Sequence, residues 1–101
     1  MLFIGIDLGT SAVKLLLMDE DGSIHKIVSK EYPLYFPRPG WAEQNPEEWW
    51  KAVCGAVRGS IARAGILPEE IAGVGIDGQS WSAIAVDRRG NVLTNTPIWM
   101  D

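Results

Sequence analysis

Apolar residues fall in short runs along this chain, and the way each run ends identifies it. Residues 2–8, LFIGIDL, stop at Gly9; residues 12–18, AVKLLLM, stop at Asp19-Glu20-Asp21-Gly22; a third β-rich run, SIHKIVSKEYP, follows at once. Asp-Gly after an apolar run is a hairpin signal, so the spacing predicts an antiparallel meander of three strands. Pro33, Pro37 and Pro39 then hold PLYFPRPGW extended, because proline has no amide hydrogen to give a helix.

A helix is predicted from Pro46, the first helical position. Asn45 suits the N-cap, Glu48 is placed as its capping-box partner, and Gly65 ends the element. Trp49, Val53, Val57 and Ile61 recur at every fourth position with Trp50 and Ala64 beside them, which predicts an apolar face turned to the core. Gly55 and Gly59 each cost about 1 kcal/mol against alanine in a helix interior, so they predict a close backbone approach by a neighbouring element. After Leu67-Pro68-Glu69-Glu70, IAGVGID reads as a strand that the helix brings beside the first one. SAIAVD-RRG-NVL reads as a further hairpin, and the whole as an α/β layer.

Two stretches repeat: GIDLGTS at residues 5–11 and GIDGQSW at residues 75–81. Each leaves an apolar run for a loop of small polar residues, and each is followed by an apolar segment and an Asp-x-x-Gly turn. Two copies are too few to establish a repeat, so the echo predicts like geometry only. Gly73–Gly78 also spells GxGxxG, but a β-like SWSAIAV follows where a dinucleotide site needs a helix, and the chain has no P-loop motif.

Length bounds the chain to one domain or part of one: 101 residues, with ordinary apolar and charged shares. The net charge of −4, with Lys and Arg scattered, gives no basic surface for nucleic acid or an anionic membrane. Nothing in MLFIGIDLGT resembles a leader, and a cytoplasmic protein is expected. Cys54 is the only cysteine and His25 the only histidine. An internal disulfide and a His-pair metal site within this chain are therefore excluded. Cys54 is expected to act as a small apolar residue and His25 to sit on a strand surface.

Candidate chemistry centres on Asp7-Leu8-Gly9-Thr10-Ser11. A carboxylate at a strand end, a glycine and two hydroxyls supply an acceptor for Mg²⁺-bound water, backbone N–H groups open to phosphate and neutral donors; Lys14 adds a cation. The residue types alone fit an ordinary hairpin turn equally well.

Taken together, GIDLGTSAVK, PGWAEQNPEEWW, GIDGQSW and TPIWMD, in this order across the whole chain, resemble the FGGY family of carbohydrate kinases. The resemblance implies an actin/hexokinase superfold with a ribonuclease-H-like sheet, of which residues 1–101 would be the N-terminal part of the first domain, lacking the ATP-binding domain. It implies ATP-dependent phosphorylation of a sugar or polyol hydroxyl with Mg²⁺. Asp7, Gly9, Thr10, Ser11 and Lys14 would fall on the phosphate loop, Asp7 acting on Mg²⁺ through water and Lys14 on the transferring phosphoryl group. Gln79, Ser80 and Trp81 would fall on the sugar loop, and Trp99 and Asp101 on a second substrate-side segment.

Where xylulokinases carry Met-His and glycerol kinases Arg-Glu, this chain has Ser80-Trp81. The family's sugar assignments therefore do not carry across, although an indole face and N–H suit a sugar or polyol. Asp77 sits where a general base is tempting, but relatives commonly have a small residue there and place the base beyond position 101, so Asp77 is expected to orient or support. Trp41 is expected as a packing anchor, with Glu43 structural rather than substrate-facing. On these grounds the 101 residues alone should be inactive, and a homodimer of the full-length protein is left open. A non-catalytic or regulatory ATP-binding module of the same superfold is the alternative.

Overall fold

The computed structural model describes residues 1–100, and Asp101 lies outside the described residues. Strands β1 (Leu2–Leu8), β2 (Ala12–Asp19) and β3 (Ile24–Glu31) form the expected antiparallel meander. Helix α1 (Pro46–Ala64) and a 3-10 turn (Pro68–Glu70) then carry the chain to β5 (Ile71–Gly78), which pairs parallel with β1. The sheet order is β3-β2-β1-β5. A second, two-stranded sheet joins β4 (Glu43–Gln44) to β6 (Thr96–Pro97). Among the described residues no helix is long and apolar enough to cross a membrane.

Alternation of side chains decides which face is core. Ile6, Leu15 and Val28 stand on one rung, Ile4 and Leu17 on the next, and all are buried with Val13. Helix α1 packs on β2 and β3 over this face. Ile76 shares the rung of Ile6 but is 74% exposed, because the helix does not reach across to β5. The opposite face carries Gly5, Leu16 and Ile27 on one rung and Asp7 and Lys14 on the next.

Asn45 caps α1 as the sequence predicts, its side chain accepting from Glu47 N at 3.0 Å, and Gly65 closes it in the left-handed region at φ 67. The capping box does not form: the Glu48 carboxylate instead accepts the Tyr35 hydroxyl at 2.7 Å. The buried face is also rotated from the predicted row. It runs through Trp49, Ala56 and Ser60, with Val53 and Val57 only half-buried and Trp50 66% exposed. Four residues advance a helix by about 400°, so an every-fourth row drifts by about 40° per step and leaves the core. Ala56 and Ser60 are the small residues under which the sheet approaches. A Cβ built on Gly55 or Gly59 meets nothing within 4 Å, so neither glycine marks a close approach.

The predicted last hairpin survives as a turn with a single bridge, Val86 to Val92. That turn copies the one after β2. Asp19 Oδ1 accepts from Asp21 N and Ser23 N at 3.3 and 3.1 Å; Asp87 Oδ1 accepts from Arg89 N and Asn91 N at 2.8 and 2.9 Å. Gly22 and Gly90 take φ 88 and 84 in the two turns. His25 lies on β3 and pairs with Asp19 at 3.0 Å. Trp41 is no packing anchor: it is exposed, with the Arg38 guanidinium 4.9 Å over its ring.

Since Gly55 faces open space in a helix interior, Gly55→Ala is expected to stabilise the fold by about 1 kcal/mol. Thermal unfolding checks this; a lower Tm would mean that a neighbour packs on that position.

Candidate functional site

The two Gly-Ile-Asp stretches lie side by side. In the parallel ladder Gly5 pairs with Gly75, Ile6 with Ile76 and Asp7 with Asp77, so the loops that follow leave the sheet at the same end. Gly78 permits this closeness: a Cβ there would stand 2.7 Å from the Leu8 carbonyl oxygen, inside any allowed contact. Gln79 N extends the ladder by one bond, donating to Leu8 O at 2.8 Å.

Between the loops is a cleft of about 510 Å³. Asp7, Gly9 and Thr10 form one wall, Gly78, Gln79, Ser80 and Trp81 the other, and Trp99 closes the side. Trp99 Nε1 donates to Thr10 Oγ1 at 2.8 Å, tying the 96–100 segment to the first loop. Trp81 is 91% exposed and holds φ 71, a strained value for a bulky side chain. Lys14 does not line this cleft. It stands opposite Asp7 on β2 and lines, with Asp7 and Asp77, an adjoining cavity of about 490 Å³ on the open sheet face. Neither ion pair among the described residues involves Lys14. Ser11 is exposed beside the cleft, and Asp101 is outside the described residues.

Three successive carbonyls of the first loop are tied inward. The Tyr32 hydroxyl and Gln79 Nε2 donate to Gly9 O, the latter at 3.3 Å; Gln44 Nε2 donates to Thr10 O; Tyr32 N donates to Ser11 O at 3.2 Å. A trans peptide points its N–H opposite its C=O, so inward carbonyls of Gly9 and Thr10 turn the amides of Thr10 and Ser11 outward. Such successive outward N–H groups make an anion-binding concavity.

Sequence reasoning missed Gln44, which is 0% exposed. Its Oε1 accepts from Trp49 Nε1 at 3.0 Å and from Gln79 Nε2 at 2.9 Å, while its Nε2 donates to Thr10 O and to Pro33 O, the latter at 3.4 Å. All four bonding positions of a carboxamide are used. A buried amide left unpaired costs about 1–3 kcal/mol, so this arrangement stands only because every partner is present. The one sequence signal was a glutamine set directly before an N-cap in an aromatic-rich segment.

Charge accumulates at the strand ends. Asp7 raises the pKa of Asp77 above its ordinary value, first through a hydrogen bond between the carboxyls and then through like charge. Burial, and then the Asp7 charge, push Tyr32 up to about 12, so its hydroxyl stays a donor to Gly9 O at any ordinary pH. No group of three or more His, Cys, Asp or Glu side chains gathers among the described residues. A single carboxylate beside outward amides nevertheless fits Mg²⁺ carried with a phosphate, since that ion keeps most of its waters and uses few protein ligands.

Residues 2–101 match the FGGY family of carbohydrate kinases, N-terminal domain. The chain is 36% identical over 96 residues to a glycerol kinase of Thermococcus kodakarensis, covering 95% of this chain and 19% of that one. It is 37% identical over 98 residues to a xylulose kinase of Bacillus subtilis, covering 97% and 20%. The crystal structure of a xyloylose kinase from Brucella ovis superposes with a TM-score of 0.94 at 36% identity, over 100% of this chain and 21% of that one. The chain thus spans about a fifth of the length of the relatives it matches.

Because folding raises the pKa of Asp77, the folded state takes up protons here, and the carboxylate pair weakens the fold at neutral pH and relaxes as pH falls through that pKa. Asp77→Asn should therefore raise Tm at pH 7 without divalent cations, and the gain should shrink on acidification. A lower Tm at pH 7 would contradict a repulsive pair.

Proposed function

This chain belongs to the FGGY family of carbohydrate kinases, and we propose that it carries the first phosphate loop and part of the sugar site of an enzyme that phosphorylates a sugar or polyol hydroxyl with ATP. The observation that carries this reading is the cleft itself. A wall of outward amides and a carboxylate faces a wall of hydroxyl, amide and indole groups, the two separated by one strand spacing.

In the proposed reaction the substrate hydroxyl oxygen forms a bond to the γ-phosphorus as the bond to the β–γ bridging oxygen breaks. The products are ADP and a sugar phosphate, and the hydroxyl proton passes to a base. Positioning and charge stabilisation supply most of the rate in such transfers. The amides of Thr10 and Ser11 donate to phosphate oxygens and the Thr10 and Ser11 hydroxyls add neutral donors. Lys14 would reach the transferring phosphoryl group from the neighbouring strand. Asp7 would hold Mg²⁺ through its bound water, and the ion would offset phosphate charge.

On the other wall Gln79 lines the cleft with its Nε2 bonded to Gly9 O and Gln44 Oε1, and in this reading Gln79, Ser80 and Trp81 together meet the substrate. The exposed Trp81 ring suits the C–H face of a sugar or polyol, and its N–H adds one donor. Trp99 contributes a second aromatic edge, and Asp101 is assigned by family pattern to the same substrate-side segment. Asp77 is assigned an orienting role rather than proton abstraction: it stands beside Asp7 in the parallel ladder, and Asp7 acts on the phosphate side. The base is assigned to the full-length chain beyond position 101, together with the ATP-binding domain. In this reading residues 1–101 open the first domain, do not turn over alone, and act in the cytoplasm with neither nucleic acid nor membrane as partner.

Ser80-Trp81 favours one second reading, a regulatory module of the same superfold that closes on ATP without a sugar. Ligand titration of the full-length protein separates the two, since binding to the native state raises its stability by about 2.7 kcal/mol at a hundredfold excess over Kd. Glycerol, D-xylulose, gluconate and Mg·ATP should be tested singly. At least one of the first three is expected to raise Tm, and Asp7→Ala should lower turnover by about 100-fold or more while that shift persists. A shift with Mg·ATP alone would favour the regulatory module, and loss of both binding and turnover in Asp7→Ala would reduce Asp7 to a fold-holding role.

A further inference from the structure

We infer that Gln44 is a positioning residue for phosphoryl transfer, its one buried side-chain amide holding the phosphate loop and the sugar loop at a fixed separation. The inference rests on the kinase reading, since it assigns the two loops their tasks. The geometry that supports it does not.

Four segments far apart in sequence meet on this one carboxamide: the first loop at Thr10, the connection at Pro33, the helix at Trp49 and the second loop at Gln79. The donor end fixes the Thr10 carbonyl and with it the direction of the Ser11 amide, because the two lie on opposite sides of one peptide plane. The acceptor end takes Gln79 Nε2, and that same nitrogen also reaches Gly9 O at 3.3 Å. Any displacement of Gln44 therefore moves both walls of the cleft. Its backbone is pinned as well: β4 pairs with β6, so Gln44 stands opposite Thr96, three residues before Trp99, whose indole closes the cleft onto Thr10. Anchored between helix and sheet, with no exposed surface, Gln44 touches no ligand and acts entirely through the atoms it orients.

A residue of this kind governs alignment more than affinity. Each loop keeps its own donors when Gln44 is replaced, so each substrate still binds, but the reacting oxygen and phosphorus no longer meet in the transfer geometry; a misplacement of about 1 Å can cost about 100-fold in rate.

The test uses the full-length protein with Mg·ATP and glycerol or D-xylulose, comparing wild type, Gln44→Met, the milder Gln44→Asn and a core control, Val28→Ala. Val28 lies under the helix away from the cleft and absorbs the effect of simple destabilisation. Both Gln44 variants are expected to lower kcat per folded molecule by about 10- to 100-fold with KM values within about threefold of wild type. Amide exchange should quicken at residues 9–11 and at 79–80 while β2 and β3 keep wild-type protection. Val28→Ala should show the reverse: unchanged kcat and general loss of protection. The inference falls if kcat per folded molecule is unchanged in the Gln44 variants, if only KM rises, or if exchange quickens uniformly or in one loop alone. Should the wild type release no ADP with any sugar or polyol that raises its Tm, the kinase reading fails by itself, and the exchange comparison still decides whether Gln44 holds both loops.

Discussion

A parallel pair of strands cannot be closed by a turn, so Leu8 and Gly78 end side by side only because the 19-residue helix α1 carries the chain back along the sheet. That pairing sets everything beyond it. It brings the loop after Asp7 and the loop after Asp77 to one end of the sheet and fixes their distance at a single strand spacing. It also demands glycine at position 78, where a side chain would collide with Leu8. The helix that makes the connection then serves the site directly, through Trp49 and its bond to Gln44.

Most of this architecture was legible in the sequence, because its signals are local. Gly9 marks the end of the first strand and Asp21-Gly22 the turn after the second, and Asn45-Pro46 and Gly65 bound the helix. What escaped is what depends on distant contacts. The rotation of the helix face follows from where the sheet lies, so Trp50 was misplaced while Ala56 and Ser60, which carry no strong apolar signal, form the contact. The repeated Gly-Ile-Asp stretches suggested like geometry without saying that they are rungs of one ladder. Residue type and family pattern single out loop residues that line one cleft, but not the inward bonds of Gln79 Nε2.

Gln44 was the hardest to foresee. A glutamine in a coil segment obeys no periodicity, and its burial is created by Thr10, Pro33, Trp49 and Gln79 converging from four separate segments. That convergence explains why a site assembled from short, glycine-rich loops can hold a definite shape. The loop carbonyls are fastened to the interior by Tyr32, Gln44 and Gln79, and the amides face outward as a consequence.

In the proposed enzyme two neighbouring strand ends carry two different tasks, phosphate on the Asp7 side and sugar or polyol on the Asp77 side. Amide chemical-shift titration of the full-length, isotope-labelled protein tests it most directly. Mg·ATP is expected to shift the amides of Thr10 and Ser11, while a bound sugar or polyol shifts those of Ser80 and Trp81 and the Trp99 indole. Movement of the same amides by both ligands, or of neither loop by either, would contradict it.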